Sequence, residues 1–163
     1  SLLIPEPNTN LRQNVCFNCD TNDLIKSIES DVVYIDPPYN SRQYCDAYHL
    51  IENIARWEKP KVFGVAKKMD RTGLKSEYCT KSAPQAFKDL IENIHAKYIV
   101  VSYNNMATKG NDRSNARISD KDLFEILQSR GEVKVFSEKF KAFTTGKSEH
   151  NDNEERLFVC KCN

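Results

Sequence analysis

The sequence predicts an α/β fold, an open and mostly parallel sheet that ends in a C-terminal antiparallel hairpin. Three observations carry that expectation. Strand-like apolar runs alternate with segments of helical periodicity, the order of a sheet with helices between its strands. Two of the runs, residues 31–35 and 98–102, are β-branched or aromatic throughout apart from Asp31 and Ser102, as in parallel strands buried on both faces. The last two strand-like runs have no helical segment between them and must pair antiparallel.

Each element follows from local signals. Residues 1–13, with Pro5, Pro7 and several Asn, lack periodicity and read as an extended lead-in. Residues 15–19 read as a short strand. Residues 21–28 place Leu24, Ile25 and Ile28 at helical spacing, with Asp20 or Thr21 as the cap. The strand at 31–35 stops at Asp36-Pro37-Pro38, because two prolines forbid both helix and ladder and force a rigid loop. Residues 47–57 read as a helix with a stripe of Leu50, Ile51, Ile54 and Trp57, stopped by Pro60. Pro84 opens a further helix carrying Phe87, Leu90, Ile91 and Ile94. The strand at 98–102 is followed by an Asn-rich polar loop through residue 117. Ser119-x-x-Asp122 resembles a capping box ahead of Leu123, Ile126 and Leu127, and Gly131 reads as that helix's C-cap. Residues 133–136 and 156–162 are the final strands, separated by a polar loop at 144–153. Open sheets of this kind bind ligands at the carboxyl ends of their strands, where Asp36 and Ser102 fall on neighbouring strands.

Length and composition fit one domain: 163 residues, 39% hydrophobic and 29% charged. No run is long enough to span a membrane and no signal peptide is recognisable, so a cytoplasmic protein is expected. The net charge of +1 hides an asymmetry. Residues 56–81 hold eight Lys/Arg, among them Lys67 and Lys68, against three acids, a local +5 that leaves −4 for the remainder. Such a segment is either a solvated loop or the footprint of phosphate contacts; the stretch 58–81 is read as a basic insert facing DNA. Cys16/Cys19 and Cys160/Cys162 have the spacing of zinc ligands. Both pairs lie in runs that read as buried strands, where Cys is a small hydrophobe, so reduced thiols and no metal are expected.

The sharpest chemical signal is Asp36-Pro37-Pro38-Tyr39 directly after a buried strand. An exocyclic amine on a heteroaromatic ring is a poor nucleophile because its lone pair is delocalised. Acceptors on its two N–H groups favour a more sp³-like nitrogen. The Asp36 carboxylate and the Pro37 carbonyl can supply them, and the prolines hold that carbonyl without reorganisation. Tyr39 can stack on a base taken out of a duplex. The bland alternative is a proline turn with a packing tyrosine.

Residues 31–44, Asp-Val-Val-Tyr-Ile-Asp-Pro-Pro-Tyr-Asn-Ser-Arg-Gln-Tyr, resemble motif IV of the bacterial DNA adenine methylase family, N6-adenine methyltransferases found in many restriction–modification systems. The resemblance continues through Tyr48-His49-Leu50-Ile51-Glu52-Asn53-Ile54-Ala55-Arg56, returns at residues 98–105 and ends at Glu155-Arg156-Leu157-Phe158-Val159. It implies a partial Rossmann-like methyltransferase sheet, S-adenosylmethionine as cofactor and adenine in DNA as substrate. It implies that Asp36, Pro37, Pro38 and Tyr39 are catalytic, and that Asp36 also lies near the cofactor. Asp20 takes the place of the family's third motif and would approach the cofactor adenine, although Thr21 stands where many relatives have Phe. Ser102, Tyr103 and Asn104 would flank the pocket. Arg42 and Tyr44, just past the loop, are placed to touch DNA, or form ordinary surface. Lys139, Lys141 and Lys147 are weaker candidates for phosphate.

The family's Phe-x-Gly-x-Gly cofactor loop has no counterpart among the five glycines. The expectation is therefore a single catalytic domain over 1–163 that is N-terminally incomplete, its cofactor site finished by a missing portion or a second chain. Two readings compete with adenine methylation. One is methyl transfer to cytosine N4, RNA adenine or protein glutamine, which poses the same chemical problem. The other is a non-catalytic fragment that only binds DNA.

Overall fold

A computed structural model describes residues 13–105, 115–139 and 154–163. The lead-in through residue 12, most of the Asn-rich loop, and residues 140–153, with Lys141, Lys147 and the polar loop at 144–153, lie outside the described residues. Helix α1 (Thr21–Leu24) runs into a 3-10 turn at Ile25–Ser27 and then strand β1 (Glu29–Ile35). The chain continues through α2 (Tyr44–Ala55), the short strands β2 (Val62–Phe63) and β3 (Lys68–Met69), α3 (Ala83–Asn93) and β4 (His95–Asn104). It ends with α4 (Asp120–Gln128), β5 (Gly131–Lys139) and β6 (Glu154–Cys162).

The main sheet has the order β1-β4-β6-β5. β1 and β4 are parallel, with Ile35 beside Val101. β6 runs antiparallel to both its neighbours, with Phe158 between Val101 and Val135. The α/β class and the C-terminal hairpin are as expected, but the sheet is not mostly parallel. The physical reason is that the returning hairpin supplies half of its strands, so one pair is parallel and two are antiparallel. Residues 15–19 form no strand. They pair with nothing described, and Cys16 and Cys19 are exposed instead of buried. Cys160 does take the buried strand position expected of it, and burial pushes its thiol up to about 11.

The core lies on one face of this sheet. Ile35, Ile99, Val101, Tyr103, Phe158 and Cys160 alternate inward and meet Phe87, Leu90 and Ile91 of α3 and Leu123 and Leu127 of α4. Pro84 sits in the first turn of α3, where a missing N–H costs nothing. Arg130 closes the other end, donating to the carbonyls of Ile91, Glu92 (3.0 Å) and Ile94 (2.7 Å). The Ser119 hydroxyl accepts from the Asp122 amide at 3.1 Å and donates to its carboxylate at 2.7 Å, so Ser119 is the N-cap read from the sequence, without the return bond to its own amide that completes a capping box.

The opposite face is open. Val32 (54% exposed) and Tyr34 (60%) on β1 share it with Tyr98, Leu157 and Phe136, so β1 is not buried on both sides as its composition suggested. The stripe of α2 is also exposed: Leu50, Ile51 and Ile54 face outward, and Trp57, in the left-handed region at φ 57°, is 79% exposed. The segment after α2 is a β2–β3 hairpin whose turn contains Gly64 at φ +67°. It is tied back to α2 by Arg71 on Asp46 (2.8 Å) and by a paired bond between Gln43 and Ser76 (3.0 and 2.8 Å).

Gly131 does not cap α4; it is the first residue of β5. Its role is close approach, since a Cβ there would stand 1.9 Å from the Lys161 carbonyl oxygen. Backbone cannot yield as a side chain can, so Gly131→Ala is expected to destabilise the chain by about 1–3 kcal/mol. A urea titration should show a lower midpoint at unchanged slope.

Candidate active site

The catalytic-motif loop leaves the carboxyl end of β1. Asp36 is exposed, Pro37 is buried, and Tyr39 is 37% exposed. What fixes the loop is the main-chain carbonyl of Tyr39. It accepts the Arg117 amide at 2.7 Å and the Tyr103 hydroxyl at 3.3 Å. The Tyr103 oxygen in turn accepts the Ile118 amide at 3.1 Å. The rings of Tyr39 and Tyr103 meet edge to face at 6.3 Å. Tyr39 therefore stands at the mouth of the site on a base of β4 and the entry to α4.

Successive residues of β4 divide the work. Tyr103, 2% exposed, points into the core and holds the loop from below. Ser102 and Asn104 point to the other side; Asn104 is buried and hydrogen-bonds the Tyr39 phenol. Burial raises the Tyr39 pKa, with the Glu155 charge as the next cause, and the Asn104 bond works against both. Arg156 on β6 secures the end of β4. Its guanidinium donates to the Asn104 carbonyl at 2.7 Å and to both carboxylate oxygens of Asp120 at 2.9 and 2.7 Å, and it lies over the Phe158 ring.

Beside the loop opens a cleft of about 1130 Å³. Its walls are Asp20 to Asp23, the end of β1 with Asp36 to Pro38, residues 73–78 and the first half of α3. Asp20 and Asp36 line this one cleft. Asp20 also caps α1, accepting from the amides of Asn22 (2.9 Å) and Asp23 (3.3 Å), so its two readings are compatible. Sequence reasoning missed Asn22 and Tyr78. The Tyr78 hydroxyl donates to Asn22 Oδ1 at 2.8 Å, while Asn22 Nδ2 donates to the Ala86 carbonyl and to Asp89, each at 2.8 Å. Burial, then the charges of Asp20 and Asp89, raises the Tyr78 phenol pKa. No motif marks these residues; they are brought together by the packing of α1 and of the 3-10 turn Glu77–Cys79 on α3.

The outer candidates lie apart from the cleft. Arg42 is exposed, its amide fixed by Asn40 Oδ1 at 2.9 Å. Tyr44 is exposed and stacks on Tyr48 at 5.9 Å. Lys67 and Lys68 are exposed on the β2–β3 hairpin, as are Lys59 and Lys61, which sit over the Trp57 and Phe63 rings. Among the described residues no group of three or more His, Cys, Asp or Glu is gathered as a metal site would need. None of the described helices is long and apolar enough to cross a membrane.

Removing the Tyr103 hydroxyl tests the anchor. Tyr103→Phe leaves the buried Ile118 amide without its acceptor, which is expected to cost about 1–3 kcal/mol. Denaturant titration should report the loss. Faster hydrogen exchange at the Arg117 and Ile118 amides should locate it at the loop.

Residues 6–114 match the family described as D12 class N6 adenine-specific DNA methyltransferase. The modification methylase StsI of Streptococcus sanguinis is 48% identical over 120 residues, which is 73% of this chain and 17% of that protein. The type II methyltransferase M.FokI of Planomicrobium okeanokoites is 33% identical over 145 residues, 88% of this chain and 21% of that protein. The modification methylase LlaI of Lactococcus lactis subsp. lactis is 33% identical over 147 residues, 90% of this chain and 22% of that protein. The chain thus spans about a fifth of the length of these relatives. No solved structure matches it. With more than half of its residues under the family match, and with that match spanning the Asp36–Tyr39 loop and the wall of the cleft, the chain belongs to the D12 class of N6 adenine-specific DNA methyltransferases.

Proposed function

We propose that this chain carries the catalytic part of an enzyme that transfers a methyl group from S-adenosylmethionine to the N6 amino group of adenine in DNA, as the modification arm of a restriction–modification system. The observation that carries the reading is the anchored Asp36-Pro37-Pro38-Tyr39 loop at the mouth of a cleft that also holds Asp20. The cleft is large enough for a nucleoside-sized cofactor, and two carboxylates on its wall suit ribose hydroxyls and an ammonium group. Bound there, S-adenosylmethionine would supply an electrophilic methyl group. Asp36 and the Pro37 carbonyl accept from the target amine and leave its lone pair directed at the cofactor. Tyr39 stacks on the extruded base. Ser102 and Asn104 flank it, with Tyr103 beneath. Arg42, Tyr44 and the basic insert at 58–81, Lys67 and Lys68 included, hold the DNA.

The main sheet is then one side of a Rossmann-like domain. The open face exposes the apolar side chains Val32, Tyr34, Tyr98, Leu157 and Phe136 together, as surfaces that meet other polypeptide do. That favours completion of the domain, and of the cofactor site, by further polypeptide in the same or another chain.

Calorimetric titration of S-adenosylmethionine into the chain, with Asp36→Ala as control, tests the reading. Weak binding that the substitution abolishes is the expected result; binding indifferent to Asp36 would count against it. For the DNA contacts, the slope of log affinity against log salt should become shallower by about 2 in the Lys67→Ala/Lys68→Ala double variant. An unchanged slope would remove these lysines from the interface.

A further inference from the structure

A second carboxylate faces the reactive loop. On β6, Glu155 lies opposite Asn104 of β4, two residues along the same side from Leu157, which lies opposite Ser102. On β1 the residues on that side are Val32 and Tyr34, and Asp36 continues their alternation beyond the strand end. β1 and β4 end where β6 begins, so Asp36, Asn104 and Glu155 converge at one corner of the sheet and on one side of it. Their mutual influence agrees with this placement. Glu155 holds its proton more tightly than an ordinary glutamate, through burial first and the Asp36 charge second. The Tyr39 phenol feels the Glu155 charge in turn. Among the described residues no hydrogen bond or ion pair is formed by the Glu155 side chain, although it is half-buried. Among the described residues, the groups around it are Asp36 and Tyr39 from the loop, Asn104 from β4, Glu138 directly opposite on β5, and its neighbour Arg156, whose charge works the other way. Arg156 is already committed to Asp120 and the Asn104 carbonyl.

Resting on the function proposed above, we propose that Glu155 is a further catalytic residue, the base that receives the proton leaving the adenine amino group. The balance is simple. The N6 lone pair forms the new N–CH3 bond as the donor's S–CH3 bond breaks and its electrons return to sulfur. One N–H proton must then leave for the substituted amine to be neutral. Asp36 serves as hydrogen-bond acceptor and orients the amine. Glu155, across the same corner, takes the proton and passes it to water. A carboxylate with raised proton affinity is better matched to that step than a fully solvated one.

The test is single-turnover methyl transfer to adenine-containing duplex DNA by the chain and by Glu155→Gln and Glu155→Asp, each with DNA affinity measured in parallel. Glu155→Gln is expected to slow transfer on the order of 100-fold at unchanged DNA affinity, and Glu155→Asp to restore most of it. The acid limb of the pH profile should also move. Independently of turnover, carbon NMR titration should show the Glu155 carboxyl pKa falling toward the ordinary glutamate range in Asp36→Asn, because the neighbouring negative charge is gone. Normal transfer by Glu155→Gln, or a Glu155 titration indifferent to Asp36, would overturn the inference while leaving the methyltransferase reading intact. Absence of transfer by the parent chain after the polypeptide that completes the cofactor site is supplied, under conditions where cofactor and DNA bind, would overturn both.

Discussion

The Tyr39 carbonyl, held between the Arg117 amide and the Tyr103 hydroxyl, is the constraint on which the site depends. Two consecutive prolines stiffen the loop but cannot aim it, because neither has an N–H with which to bond the strands below. Aim has to come from acceptors. Tyr39 is the first residue past the prolines, and its carbonyl is gripped from β4 and from the lead-in to α4 at once. Because the Tyr103 oxygen also accepts from Ile118, the grip joins three segments distant in sequence. A loop positioned this way has its main chain held at the end of β1, which is what preorganised stabilisation of a reacting amine demands under the proposed function.

The uneven quality of the packing follows from where that grip lies. One face of the sheet is a filled core of Ile35, Ile99, Val101, Tyr103 and Phe158 under α3 and α4, and the anchor belongs to it. The other face presents Val32, Tyr34 and Leu157 to solvent. The reactive corner is thus supported from beneath by residues that pack and from above by none of those described. The Arg156 clamp on Asn104 and Asp120 lies on the filled side, and it keeps the end of β4 in place without help from the open face.

Much of this was legible in the residues, and the reasons for the failures are physical. Continuous β-branched runs located β1 and β4, and the Ser119 box located α4, because these signals are local. The loop after β1 was legible because two consecutive prolines forbid both helix and ladder. The same locality misled at residues 15–19, where β propensity was present but no neighbouring strand was available to pair. It misled at Gly131, where a glycine after a helix looked like a cap and is instead required by the Lys161 backbone. Asn22 and Tyr78 were invisible because the helix packing that joins them leaves no periodic trace. Asp31–Ile35 composition could not show that one face of β1 would lie open, since hydrophobicity records the tendency to be covered and not the identity of the cover.

The corner of β1, β4 and β6 is rich in acceptors, with the Asn104 amide engaged on the Tyr39 phenol. Asp36, the Pro37 carbonyl and Glu155 all present acceptors. Arg156 is turned to Asp120 and the Asn104 carbonyl. An acceptor-rich rim favours a base whose exposed edge carries an amino group and opposes one that carries a carbonyl, because two oxygens brought together in a desolvated pocket leave both without a proton to share. Adenine and cytosine satisfy that condition where guanine O6 and thymine O4 do not. Choice between the remaining two cannot come from the amine, which is common to both. It has to come from the shape of the stack on Tyr39 and from groups that meet the rest of the ring. Under the proposed function, the loop accounts for the type of nitrogen that reacts, and the walls around it for the base to which that nitrogen belongs.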